Sequence, residues 1–152
     1  MANLNSDTLG PLLGKQVKIN LKGPEAKVGI LFQVATDHFM LQTEKEMIYY
    51  NLDHVKSVSL DTTTMPENTG NTFLDPIQGS SITEVLGALH YKWVKINRGG
   101  PEHVEGILIN VASDHILLLM KAELVRITLF HIKSFNTIET VIKEVPEKIV
   151  EA

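Results

Sequence analysis

Short runs of alternating apolar and polar residues fill most of this chain, and they come in two matching sets. In "QVKIN", Val17 and Ile19 fall on one side and Lys18 and Asn20 on the other, the two-residue period of a half-buried strand. "GILFQV" and "HFMLQT" are β-rich runs joined by the polar turn "ATD", and "EMIYYNL" and "KSVSL" supply two more. Between the last pair, "LDHV" spaces Leu52 and Val55 for one 3₁₀ turn with both side chains pointing in. A helical stretch precedes each set. In "SSITEVLGALH", Ser81 caps the helix with Glu84 three residues on, and Ile82, Val85, Leu86 and Leu89 share a face. The earlier stretch is weaker: Leu9, Leu12 and Leu13 keep the spacing, Pro11 fits a first turn, and Gly14 ends it.

The two sets are copies. At a constant offset of 77 residues, Val17 to Val58 aligns without a gap on Val94 to Phe135, with about half of the pairs identical. Two gap-free units point to tandem domains rather than a solenoid. The sequence therefore predicts an all-β protein of two tandem Sm/SH3-like five-stranded barrels, each preceded by a short α-helix. The first repeat spans 1–62, a linker 63–79, the second repeat 80–138 and a C-terminal extension 139–152. One core is expected from Val17, Ile19, Ile30, Leu41, Leu52 and Val55. A second is expected from Val94, Ile96, Ile107, Leu118, Leu129 and Ile132.

Each copy carries Gly-Pro-Glu between its first two strands. Gly23 and Gly100 permit positive φ, and Pro24 and Pro101 fix the next φ, so the phrase reads as turn chemistry. Gly29 and Gly106 fall where a strongly bent strand needs no side chain. The turn does not explain Glu25 or Glu102. With Arg98, which has Leu21 as its counterpart, they form a candidate partner-binding turn.

The chain has 152 residues, 43% hydrophobic and 21% charged, a globular composition. Its net charge of −4 weakly opposes general phosphate-backbone binding. With no cysteine there is no disulfide, thiolate metal site or thiol nucleophile. "MANLNSDTLG" lacks the features of a signal peptide, and no apolar run is long enough to span a bilayer, so no membrane partner is expected. There is no Gly-x-Ser-x-Gly and no P-loop, so no catalytic residue is assigned and no enzyme is expected. His38, His54, His115 and His131 recur in pairs, but their places in turns and corners suit polar structural roles better than metal ligation. No cofactor is expected. The alternative function is that of an Sm-like nucleic-acid-binding protein, with Tyr49, Tyr50 and Lys56 as a stacking patch. Against it, "DHFML" and "DHILL" lack the Asn, and "YYNLDHV" and "ITLFHI" the Arg-Gly, of Sm-type RNA pockets.

"HYKWVKINRGGPEHVEGIL" with "VRITLFHIKSF" resembles the spore coat protein B family of endospore-forming bacilli, and "GKQVKINLKGPEAKVGIL" with "IYYNLDHVKSV" resembles the earlier repeats of that family. The resemblance implies a structural protein of the outer spore coat, made in the mother-cell cytoplasm without a signal peptide, with other spore coat proteins as partners. It implies no catalytic residue, and nucleic acid is not an expected partner. Family members often carry a long Ser- and Lys-rich tail phosphorylated by a coat-associated kinase. This chain ends "TVIKEVPEKIVEA", so phosphorylation is not carried over.

Partly open barrels expose strand edges. Here these fall around Met47 to Asn51 and Lys56 to Leu60, with equivalents at Leu124 to Thr128 and Lys133 to Thr137. Two units in one chain can pair one set of edges internally and leave two free, so a homo-oligomer through edge strands is expected.

Overall fold

The computed structural model describes residues 4–44, 46–60, 77–98 and 100–137. The linker expected at 63–79 lies outside them up to residue 76, as does the extension at 139–152. The first repeat contains α1 (Ser6–Leu9), which runs into a 3₁₀ turn, then β1 (Gln16–Ile19), β2 (Lys27–Val34), β3 (His38–Gln42), β4 (Met47–Asn51) and β5 (Val58–Leu60). The second contains α2 (Ile82–Gly87), β6 (Trp93–Ile96), β7 (Val104–Val111), β8 (His115–Met120), β9 (Glu123–Thr128) and β10 (Ser134–Thr137). A 3₁₀ turn precedes the last strand of each, Leu52–His54 and Leu129–His131, as the Leu-x-x-apolar spacing predicts.

The all-β expectation holds. One open sheet of ten strands runs through both repeats in the order β5-β1-β2-β3-β4-β10-β6-β7-β8-β9, with one pair of edges joined internally. β4 ends the first repeat with an unpaired row of peptide groups, and β10 supplies the missing partner.

Close approach between strands fixes both copies of the bent second strand. A Cβ on Gly29 would lie 2.7 Å from the Gln42 carbonyl oxygen, and one on Gly106 would lie 2.3 Å from that of Leu119. Gly29 stands opposite Val17, and Gly106 opposite Val94, so each glycine points inward with its partner. That parity corrects two core assignments. Leu31 and Leu108 are fully buried, whereas Ile30 and Ile107 lie on the other face and are half-buried. A bulge follows each leucine, between Leu31 and Gln33 and between Leu108 and Asn110.

Two apolar clusters form, but the repeat boundary does not divide them. Val17, Ile19, Leu41 and Leu52 join Leu9, Leu31 and Phe39 in the first, with Val55 packed at its margin. Val94, Ile96, Leu118 and Ile132 join Val85, Leu86 and Leu108 in the second, with Leu129 at its margin. Met40, Met47 and Tyr49 belong by sequence to the first repeat, yet they pack into the second cluster. Every residue of β4 is buried as a result.

Candidate functional site

The seam where β4 meets β10 gathers most of the polar side chains singled out by the repeated turn. Tyr49 stands opposite Phe135, and Tyr50 opposite Ser134. Asn51 closes the ladder. Its N–H donates to the Lys133 carbonyl at 3.0 Å, and its Nδ2 donates to the Ile132 carbonyl at 2.9 Å. The Tyr49 and Phe135 rings stack 5.0 Å apart and 6° from parallel, an arrangement that fills the shared core.

At one end of this ladder lies a polar cluster contributed by both repeats. Arg98 Nε donates to Asn136 Oδ1 at 2.9 Å, and Arg98 Nη2 meets Glu46 Oε1 at 2.9 Å and Oε2 at 2.8 Å. Asn136 Nδ2 also donates to Glu46 Oε1, at 3.0 Å. Ser134 Oγ accepts from the Arg98 N–H at 3.1 Å and donates to Glu25 Oε1 at 2.6 Å. The Tyr50 hydroxyl donates to the Glu25 carbonyl at 2.9 Å. Burial, reinforced by the Glu25 carboxylate, pushes the Tyr50 hydroxyl well above the usual tyrosine range. One guanidinium nitrogen meets both carboxylate oxygens, and Asn136 bonds both Arg98 Nε and Glu46 Oε1, which is how a largely buried charge pair is tolerated.

The structure thus brings Arg98 and Glu25 together, and it does so at an internal junction. Glu102, the counterpart of Glu25, is elsewhere: it is exposed and forms an ion pair with Lys133 at 3.1 Å. The two Gly-Pro-Glu turns also differ in shape. Gly23 has a φ of 105°, whereas Gly100 opens a 3₁₀ turn, Gly100–Glu102. Leu21-Lys22 in one copy and Arg98-Gly99 in the other give the turns different leads.

Sequence reasoning missed five contributors. Asn20, expected to face outward, is buried with a φ of 57°, and its Oδ1 accepts from the Lys56 and Ser57 N–H groups. Asn97 repeats the arrangement, with φ of 54° and Oδ1 2.6 Å from the Lys133 nitrogen. The signal was present: asparagine tolerates the left-handed region and ends the first strand in both copies. Ser134 is fully buried because β4 covers β10. Glu46 and Asn136 carried no sequence signal, since their roles arise only when the repeats meet.

The remaining candidates have structural partners. Asp37 accepts from the Ile82 N–H at 2.9 Å and lies 2.8 Å from Nδ1 of the fully buried His38. The equivalent Asp114 is exposed, and its hydrogen bond with His115 holds its carboxyl below the usual range. Hydrogen bonds from Trp93 and His103 do the same for Glu105. His54 Nε2 meets the Phe130 carbonyl across the seam. Tyr49 and Tyr50 are buried, so neither offers a free ring face for stacking a base. Among the described residues no group of three His, Asp or Glu side chains is placed to hold a metal ion. The cavity lined by Pro24, Glu25, Lys27, Tyr50 and Arg98 has a volume of about 40 Å³, room for little more than a water. No described helix is long and apolar enough to cross a membrane.

Spore coat protein B of Bacillus subtilis (strain 168) is 36% identical to this chain over 129 residues, which cover 84% of this chain and 34% of the relative. The chain therefore spans about a third of the length of that curated relative. No protein-family model matches it, and no solved structure does.

Proposed function

We propose that this relative of spore coat protein B is a structural and interaction protein of the outer coat of bacterial spores. One observation carries the reading: 36% identity running through 84% of the chain. The internal organisation agrees with a scaffold. The polar side chains of the repeated turn in the first copy, and Arg98, hold the two repeats together at the seam. In each repeat the strand order β5-β1-β2-β3-β4 or β10-β6-β7-β8-β9, a leading helix and a 3₁₀ turn before the last strand support an Sm-like reading of the unit. Such units assemble through their edges, and the partners are other coat proteins. Synthesis is in the mother-cell cytoplasm. The Sm-like nucleic-acid reading loses its stacking patch with the burial of Tyr49 and Tyr50.

A fluorescent fusion of the whole chain, produced in sporulating cells, tests this. The expected result is a shell of fluorescence around the developing spore, and cross-linking in those cells should join the chain to coat proteins. A signal that stays diffuse in the mother cell, or cross-links mainly to RNA, would overturn the proposal.

A further inference from the structure

The internal seam is half of a repeating contact, and its other half lies on the outer edges of the sheet. β4 is wholly buried by β10, while its counterpart β9 has Glu123, Leu124, Arg126 and Thr128 exposed. β10 is wholly buried, while its counterpart β5 has Leu60 exposed and Val58 and Ser59 half-buried. Among the described residues neither β9 nor β5 has a strand on its outer side. The backbone is presented correctly for one. On β4, the Leu52 N–H turns inward to the Asp37 carbonyl and the Asn51 N–H outward to the Lys133 carbonyl. The Leu129 N–H likewise turns inward to the Asp114 carbonyl, so the alternation directs the N–H groups of Leu124, Arg126 and Thr128 outward from β9.

We infer that β9 of one copy of this chain pairs antiparallel with β5 of a second copy, repeating between molecules the β4–β10 seam within each. The inference rests on the scaffold role proposed above and names the partner surface for it. Transferring the register Tyr50↔Ser134 and Tyr49↔Phe135 by the repeat offset sets Ile127 opposite Ser57 and Arg126 opposite Val58. Extending the ladder two residues past the equivalent of Tyr49↔Phe135, the last pair the seam itself forms, sets Leu124 opposite Leu60. These are the exposed leucines of the two outer edges, at 58% and 41% exposure. A register fixed only by the internal seam thus brings two solvent-exposed leucines face to face. Glu102 takes the place of Glu25 in this contact, and Ser57 that of Ser134. The Arg98–Glu46–Asn136 cluster has no counterpart, because Leu21, Glu123 and Ser59 stand there. The outer contact is therefore weaker than the seam and reversible. It is also heterologous, so it closes a ring if the rotation permits and otherwise extends as a filament.

Sedimentation velocity of the purified whole chain tests this with the variants Leu60→Lys and Leu124→Lys. Both sites are exposed, so each variant should keep the wild-type circular dichroism. Wild type is expected to associate with rising concentration, and each variant alone to associate about tenfold more weakly or not at all. Mixing the two should restore a dimer and nothing larger, since one brings an intact β9 and the other an intact β5. A wild-type chain that stays monomeric at high concentration would overturn the contact. So would undiminished association of either variant alone, or a mixture that stays monomeric. Those results leave spore localisation of the fusion untouched, and a diffuse fusion leaves the sedimentation result untouched, so the two proposals fail separately.

Discussion

The ring of Tyr49 lies flat on that of Phe135, 5.0 Å away, although 86 residues of chain separate them and each belongs to a different repeat. The pair ties the first repeat into the core of the second. Phe135→Ala should cost about 3–5 kcal/mol, the range for emptying an aromatic site in a packed core. Because the site is shared, denaturant unfolding should remain a single transition at a lower midpoint. Loss confined to the second repeat's signals would contradict a shared core.

The parity of β2 and β7 makes a sharper test of the fold. Leu108→Ala removes a fully buried side chain and should cost about 2–5 kcal/mol, whereas Ile107→Ala, half-buried on the other face, should cost clearly less. Equal losses of melting temperature would mean that the inward face is misassigned.

Gly106→Ala should destabilise as strongly as a core defect, by about 1–3 kcal/mol, because the new methyl meets a backbone oxygen that cannot rotate away. Ala at Gly87, where nothing lies within 4 Å, is the control and should leave the midpoint unchanged or raised.

A double-mutant cycle on Arg98→Ala and Glu46→Ala measures the polar cluster. Both side chains are mostly shielded, at 16% and 23% exposure, and they share Asn136 as a partner. A coupling of about 1–3 kcal/mol is expected. Additive losses would reduce the cluster to two independent surface groups.

Tyr50 makes stability fall in alkali. Its hydroxyl titrates above the ordinary tyrosine value of 10.0, so the folded chain holds the proton more tightly than the unfolded chain. The stabilisation is complete below that ordinary value and is lost as pH rises through the folded one. Tyr50→Phe should therefore flatten the alkaline limb of a stability–pH curve, while lowering stability near neutrality through the lost bond to the Glu25 carbonyl. An unchanged alkaline limb would show that the hydroxyl is not held this way.

Much of this protein is local and so was legible in the chain itself. Alternation marked the strands, Ser81 with Glu84 marked the start of α2, and the Leu52–Val55 spacing marked the 3₁₀ corner. The constant repeat offset showed that all of it occurs twice. These features depend on neighbours a few residues away, which a linear pattern records. The face of β2, the burial of Ser134 and Asn20, and the partners of Glu46 and Asn136 depend on which strand lies alongside. The shared Gly-Pro-Glu also takes two different partners. Glu25 meets Ser134 of the other repeat and Glu102 meets Lys133 of its own. The repeat predicts two equivalent edges, and only the tertiary structure decides which is consumed. A chain of two units has one internal junction, so pairing β4 with β10 buries one copy of each edge and leaves the other copy, β9 and β5, without a partner strand among the described residues.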